Sequence, residues 1–211
     1  VRRNIAPGEA EKIRSLLRTQ LDWELLLTEA RRHSVLPLLY RGLQQFQPPP
    51  AVSGLLRRAC LHSQQRNLAL TSELLRLLHR FETARIPAVP FKGPLLAMLA
   101  YGDLSLRTFG DLDVLVHESD LKYAREVLIR EGYVPEFSFT ADQEDAYIKT
   151  ECALQLRHPG RDVVIELHWL LTERYLSIQL PAGQIWKRLK PATLAGRPVL
   201  AFAPEDLLLY L

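Results

Sequence analysis

A change of hydrophobic period near residue 86 is the feature that most limits the folds open to this chain. Before it, apolar side chains recur at helical spacing. Ile13, Leu16, Leu17 and Leu21 follow that spacing first, and Leu70, Leu74, Leu77, Leu78 and Phe81 later form one buried stripe. After it, short β-like runs alternate with helical patterns. Within the helical part, Gln47-Pro48-Pro49-Pro50 is a hard break, since consecutive prolines lack N–H donors and push the residues before them out of the helical region. Two helical lobes are expected.

Beyond Ile86 the spacing predicts a short strand at Ala88 to Phe91, a helix from Leu95 to Tyr101, and a strong strand over Asp111 to Val116. Ser119 is placed to cap a helix from Asp120 to Glu131, with Gly132 as its left-handed terminator. Tyr133 to Phe139 reads as extended and Ala141 to Lys149 as a helix. Cys152 to Arg157 and Val163 to Trp169 form a hairpin across the Pro159-Gly160 turn. A second hairpin is expected around Ala195-Gly196, then a helix opened by Pro204-Glu205-Asp206. Leu211 comes only about two turns into that helix, so the expectation is an element cut short with more protein beyond.

This pattern predicts an α+β fold. Residues 1–85 are a helical region, 86–203 a small mixed β-sheet core flanked by helices, and 204–211 the start of a C-terminal helix. A chain of 211 residues that is 47% hydrophobic and 24% charged has material for a real core, which excludes disordered and fibrous classes. Charged residues interrupt every Leu-rich segment, so no membrane helix is expected and the predicted address is cytoplasmic. The chain opens Val1-Arg2-Arg3 with no apolar leader segment behind it. Cys60 and Cys152 stand alone in apolar surroundings, as core thiols do. The net charge of +3 is dispersed in Arg pairs, and extended nucleic-acid binding is not expected from it.

Chemistry concentrates in three short segments. In a strand over Asp111-Leu112-Asp113-Val114-Leu115-Val116, the two aspartates share one face while Leu112, Val114 and Val116 share the other. Two carboxylates with Cα atoms about 6.5–7 Å apart on a rigid strand repel unless a cation joins them, and hard cations such as Mg²⁺ take oxygen ligands. The same pattern also suits two solvated acids at a strand end. In Val163-Val164-Ile165-Glu166-Leu167-His168-Trp169, Glu166 and His168 share a face, and an acid in so apolar a strand needs a metal or an ion-pair partner. Phe91-Lys92-Gly93-Pro94 turns a strand into a helix. Lysine and a helix start suit a phosphate there, although a plain turn with a solvated lysine fits as well.

The order of these pieces resembles the DNA-polymerase-β-like nucleotidyltransferase superfamily, and more closely its uncharacterised bacterial nucleotidyltransferase branch. The residues that carry the resemblance are Phe91-Lys92-Gly93, Tyr101, Arg107, Asp111-Leu112-Asp113-Val114-Leu115-Val116 and Glu166-Leu167-His168-Trp169. The resemblance implies that Asp111 and Asp113 ligate two Mg²⁺ ions and that Glu166 is the third carboxylate. It implies that Lys92 and Gly93 form the nucleotide-phosphate turn, with His168 beside them, and that Arg107 either steadies the triphosphate or pairs with a carboxylate. The activity implied is transfer of a nucleoside monophosphate from an NTP to an unidentified hydroxyl, on a small molecule or a protein. Lys-Gly-Pro stands where the superfamily usually has Gly-Ser, so the turn lacks a hydroxyl. That departure motivates an alternative, a nucleotide-binding sensor or scaffold of the same fold without transfer activity.

Overall fold

The computed structural model describes residues 6–172 and 182–211. They divide into two compact units, one comprising the residues up to Ala69 with Ala97–Phe109, the other Leu70–Leu96 with Gly110–Leu211.

The first unit is helical. It contains α1 (Pro7–Arg18), α2 (Trp23–Arg32), α3 (Leu36–Leu43), the first part of α4 (Pro50–Thr83) and the end of α5 (Gly93–Tyr101). Asp22 caps α2 by accepting from the Leu25 backbone N–H at 2.9 Å, which satisfies one of the donors a helix start leaves open. The proline run does what its chemistry dictates: Gln47 is left-handed at φ 50°, and α4 begins at Pro50, whose missing N–H costs nothing there. Leu27, Ala30, Leu36, Leu43, Val52, Leu56 and Cys60 form the core, with Ile13 and Leu17 packed against it. Leu16 is exposed and Leu21 lies past the end of α1, so only half of that first apolar set faces inward. Buried Asn67 donates to the carbonyls of Leu104 and Arg107 at 2.7 and 2.8 Å, which fixes the segment leading toward Gly110.

The second unit is built on a five-stranded mixed sheet. Its strands are β1 (Ala88–Pro90), β2 (Asp111–Val116), β3 (Val134–Pro135), β4 (Ala153–His158) and β5 (Val163–His168), in the order β1-β2-β5-β4-β3. β2 and β5 run parallel at its centre, and the other pairings are antiparallel. Around them lie α6 (Leu121–Arg130), α7 (Ala141–Thr150), α8 (Ala182–Arg188), the hairpin β6 (Lys190–Leu194) and β7 (Arg197–Ala201), and α9 (Pro204–Tyr210). Ala195 and Gly196 are both left-handed, at φ 48° and 80°, as a two-residue hairpin turn requires.

One face of β2 and β5 is wholly apolar: Leu112, Val114, Val116, Ile165 and Leu167 are fully buried, and Val163 nearly so. On the opposite face, Leu115 joins Val89, Phe91, Leu96, Leu171, Ile185, Phe202 and Leu207 in one cluster. The aspartates of β2 precede Leu115 on that same face, so the sheet changes from acid to hydrocarbon along a single strand.

Two local expectations are corrected. Ser119 does not cap a helix but sits inside a 3₁₀ turn, Glu118–Asp120, from which α6 begins at Leu121. The extended stretch after Gly132 pairs only over Val134–Pro135, where Pro135 can supply no donor to lengthen the ladder. The stripe of α4 is buried at Leu70, Leu74, Leu77 and Phe81, each at most 1% exposed, while Leu78, expected in the same stripe, is only half-buried. Within that stripe, Glu73 is buried and accepts from Arg76, Tyr133 and Arg161 at 2.8–2.9 Å. Burial raises its carboxyl pKa, but those donors outweigh burial and pull it to about 2.

Candidate active site

The register of the central strands builds the site. Asp113 on β2 is the direct partner of Glu166 on β5, and Asp111 is the partner of Val164. Since side chains alternate, Asp111 and Asp113 share a face with Glu166 and His168, which occupy alternate positions of the neighbouring strand. Among the described residues, Asp113, Glu166 and His168 offer ligand atoms that all lie within 4.8 Å of one another.

Asp113 is 3% exposed. Lys92 Nζ lies 3.1 Å from its Oδ1, and His168 Nε2 lies 3.6 Å from the same oxygen and 3.3 Å from Glu166 Oε2. None of these contacts has the geometry of a hydrogen bond: neither Asp113 oxygen and neither His168 nitrogen has a partner of that kind. Burial by itself would raise the pKa of the Asp113 carboxyl, but His168 and Lys92 outweigh it and hold it below the usual range. Burial likewise opposes charge on His168, and its neighbours Asp113, Cys152 and Glu166 more than reverse that. Burial pulls the Lys92 pKa down, while Asp113 and then Tyr210 lift it above its ordinary value.

Asp111 stands outside the tight group. It is half-buried at the start of β2, and its pKa is raised first by burial and then by the negative charges of Asp113 and Glu166. Three acidic side chains therefore gather on one face beside Lys92 and His168, and one of them, Asp113, is buried with oxygens that are not used in hydrogen bonds. Those are features a divalent cation satisfies, and the oxygen donors suit Mg²⁺.

Lys92 and Gly93 join β1 to α5, with Gly93 left-handed at φ 47°, which turns the chain between strand and helix. Arg107 belongs to the first unit, where its carbonyl accepts from Asn67. Two neighbours of the site carried no signal in the sequence. Tyr210, on α9, has Lys92 Nζ 4.9 Å above its ring and packs edge-on against Phe91. Phe91 also meets the His168 ring edge-on, with centroids 5.0 Å apart. Cys152, half-buried rather than in the core, flanks His168 just before β4. Only the β4–β5 register, which pairs Ala153 with His168, explains how it comes there.

The α+β sheet thus bears carboxylates on two adjacent parallel strands. The chain belongs to the family described as uncharacterised nucleotidyltransferase, whose family model matches residues 19–211. No curated protein matches the chain in sequence. Among solved structures it is similar to the lincosamide antibiotic adenylyltransferase LnuA with lincomycin bound, at 14% identity and TM-score 0.48, covering 65% of this chain and 83% of that one. It is also similar to an antigenic nucleotidyltransferase-like protein from Paracoccidioides brasiliensis, at 17% identity and TM-score 0.36, covering 66% of this chain and 62% of that one. Among the described residues, no helix is long and apolar enough to cross a membrane.

Proposed function

We propose that this chain is a Mg²⁺-dependent nucleotidyltransferase that moves a nucleoside monophosphate from an NTP to a hydroxyl acceptor. The observation that carries the reading is the in-register pair Asp113 and Glu166, with the oxygens of Asp113 buried and without hydrogen bonds.

Asp113 and Glu166 are the carboxylates that would hold a metal between the two strands, and Asp111 supplies a third from the same face toward the strand start. Two bound cations would neutralise charge on the α-phosphate and on the leaving pyrophosphate. His168 acts as a positioning residue: its Nε2 faces both carboxylates and orients them from the buried side. Lys92, a flexible point charge at the mouth of the site, receives phosphate oxygens next to Gly93, where the backbone permits close approach. The apolar cluster behind Leu115 keeps water from that side of the carboxylates.

The test is pyrophosphate release from NTPs with Mg²⁺ present, followed by mass spectrometry of candidate acceptors for a nucleotide-sized addition. Release that persists unchanged in Asp113→Asn would overturn the reading. Binding of Mg-ATP without release under any acceptor condition would favour a sensor instead.

A further inference from the structure

Lys92 is claimed by two partners in the functional reading. It is assigned to a phosphate, yet in the structure its ammonium lies against a carboxylate assigned to a metal, 3.1 Å from Asp113 Oδ1. Both cannot be served at once. A divalent cation bound at that oxygen and an ammonium a few Å away would repel strongly in so buried a place.

We infer that Lys92 is an exchangeable stand-in for the metal, occupying Asp113 until a divalent cation arrives and then swinging out to take a phosphate of the incoming nucleotide. This rests on the metal-dependent reading above and adds to it a coupling between the two ligands. Three observations support it. Asp113 is buried enough that an uncompensated charge is costly, so some cation must stay with it when no metal is bound. Lys92 has the reach and the freedom to leave, because its side chain is 29% exposed while that of Asp113 is 1% exposed. A landing place exists along the way: its Nζ already lies over the Tyr210 ring at 4.9 Å and near the Phe91 ring at 5.7 Å, surfaces that attract a cation released from a carboxylate. His168, 5% exposed at its side chain and wedged against Phe91, has no comparable path out. The lysine is therefore the group that can leave, and the histidine the one that stays.

Coupling follows by linkage. Metal binding frees an ammonium for phosphate, phosphate binding frees a carboxylate for metal, and each ligand tightens the other by the same factor.

The experiment is a Mn²⁺ titration of the full chain, read by electron paramagnetic resonance, with and without a non-hydrolysable triphosphate. Lys92→Met is expected to bind Mn²⁺ about tenfold or more tightly than the wild type without nucleotide, and to lose the mutual tightening between Mn²⁺ and nucleotide. Equal or weaker Mn²⁺ binding with the tightening intact would overturn the inference. A second readout needs no variant: acylation of Lys92 in the wild-type chain, mapped by mass spectrometry, should rise several-fold on adding Mn²⁺ and fall again on adding the triphosphate. Labelling indifferent to Mn²⁺ would also overturn it. Asp113→Asn separates the two levels, since Mn²⁺ binding that survives in that variant removes the metal reading itself and the exchange with it.

Discussion

Asp113 and Glu166 face each other across two parallel strands, and a single imidazole nitrogen, His168 Nε2, reaches toward both, at 3.6 and 3.3 Å. The register matters here. It sets residues of adjacent strands side by side on one face, so two acids 53 positions apart in sequence act as one donor set. The apolar residues on the reverse of each strand lock that register, because a slip of one residue would turn Leu112, Val114, Ile165 and Leu167 out of the core and the acids into it.

Asp113→Asn and Glu166→Gln should each lower Mg²⁺-dependent pyrophosphate release about a hundredfold or more, since each removes an anionic oxygen donor while keeping the side-chain shape. Circular dichroism should show the fold retained. Turnover near the wild-type rate in either variant would remove that carboxylate from the site.

His168→Gln should act through metal affinity. Loss of a group that orients ligands typically costs about 10–100-fold in affinity. The variant should therefore need more Mg²⁺ for half-maximal rate and recover much of its turnover at saturating metal. A purely structural role would instead lower the rate at every metal concentration and leave the half-saturation point in place.

Glu73 makes a prediction about acid stability. Its carboxyl sits at about 2 in the folded chain against an ordinary 4.5. A depressed carboxylate stabilises the folded state above its unfolded pKa, and that contribution disappears as pH falls from about 4.5 toward 2. Glu73→Gln should thus lower stability at pH 7 by on the order of 2–3 kcal/mol, because it also strips the buried partner from Arg76, Arg161 and Tyr133. In urea titrations the gap between wild type and variant should narrow steadily below pH 4.5, and a gap independent of pH would contradict the assignment.

Much of this architecture was legible in the residues because one physical rule dominated locally. The strand over Asp111–Val116 and the hairpin of β4 and β5 follow from alternation and turn chemistry, and the start of α4 from its prolines. Legibility failed where the deciding partner was remote. Nothing near Ser119 says that a 3₁₀ turn will occupy its position, and no spacing links Tyr210 on the last helix to Lys92. For the site, residue type and strand face could be read in advance. That Asp113, Glu166 and His168 draw together while Asp111 stays apart depends on the β2–β5 register, which sequence periodicity cannot supply.

Core packing should separate Leu77 from Leu208. Leu77 is fully buried on α4, so Leu77→Ala leaves a cavity and should cost about 2–5 kcal/mol. Leu208 on α9 is 77% exposed, so Leu208→Ala should change stability by no more than about 0.5 kcal/mol. Chemical denaturation of the two variants checks the pair, and a large loss at Leu208 would mean that the residue is covered in solution.

Two glycines should respond to alanine with opposite signs. Gly54 lies within α4, and a Cβ there would meet nothing within 4 Å, so Gly54→Ala should stabilise by about 0.5–1 kcal/mol through reduced freedom of the unfolded chain. Gly132 ends the α6 segment at φ 92°, where its N–H bonds to the Ile129 carbonyl, and an added Cβ would stand 3.1 Å from His158 Nε2. Gly132→Ala therefore combines left-handed strain with a contact that His158 must yield to. The imidazole has little room to yield, since its ring packs edge-on against the buried Tyr133, so the loss should exceed about 1 kcal/mol. Thermal melts of the two variants should move in opposite directions, and a stabilised Gly132→Ala would show that the turn after α6 adopts another conformation.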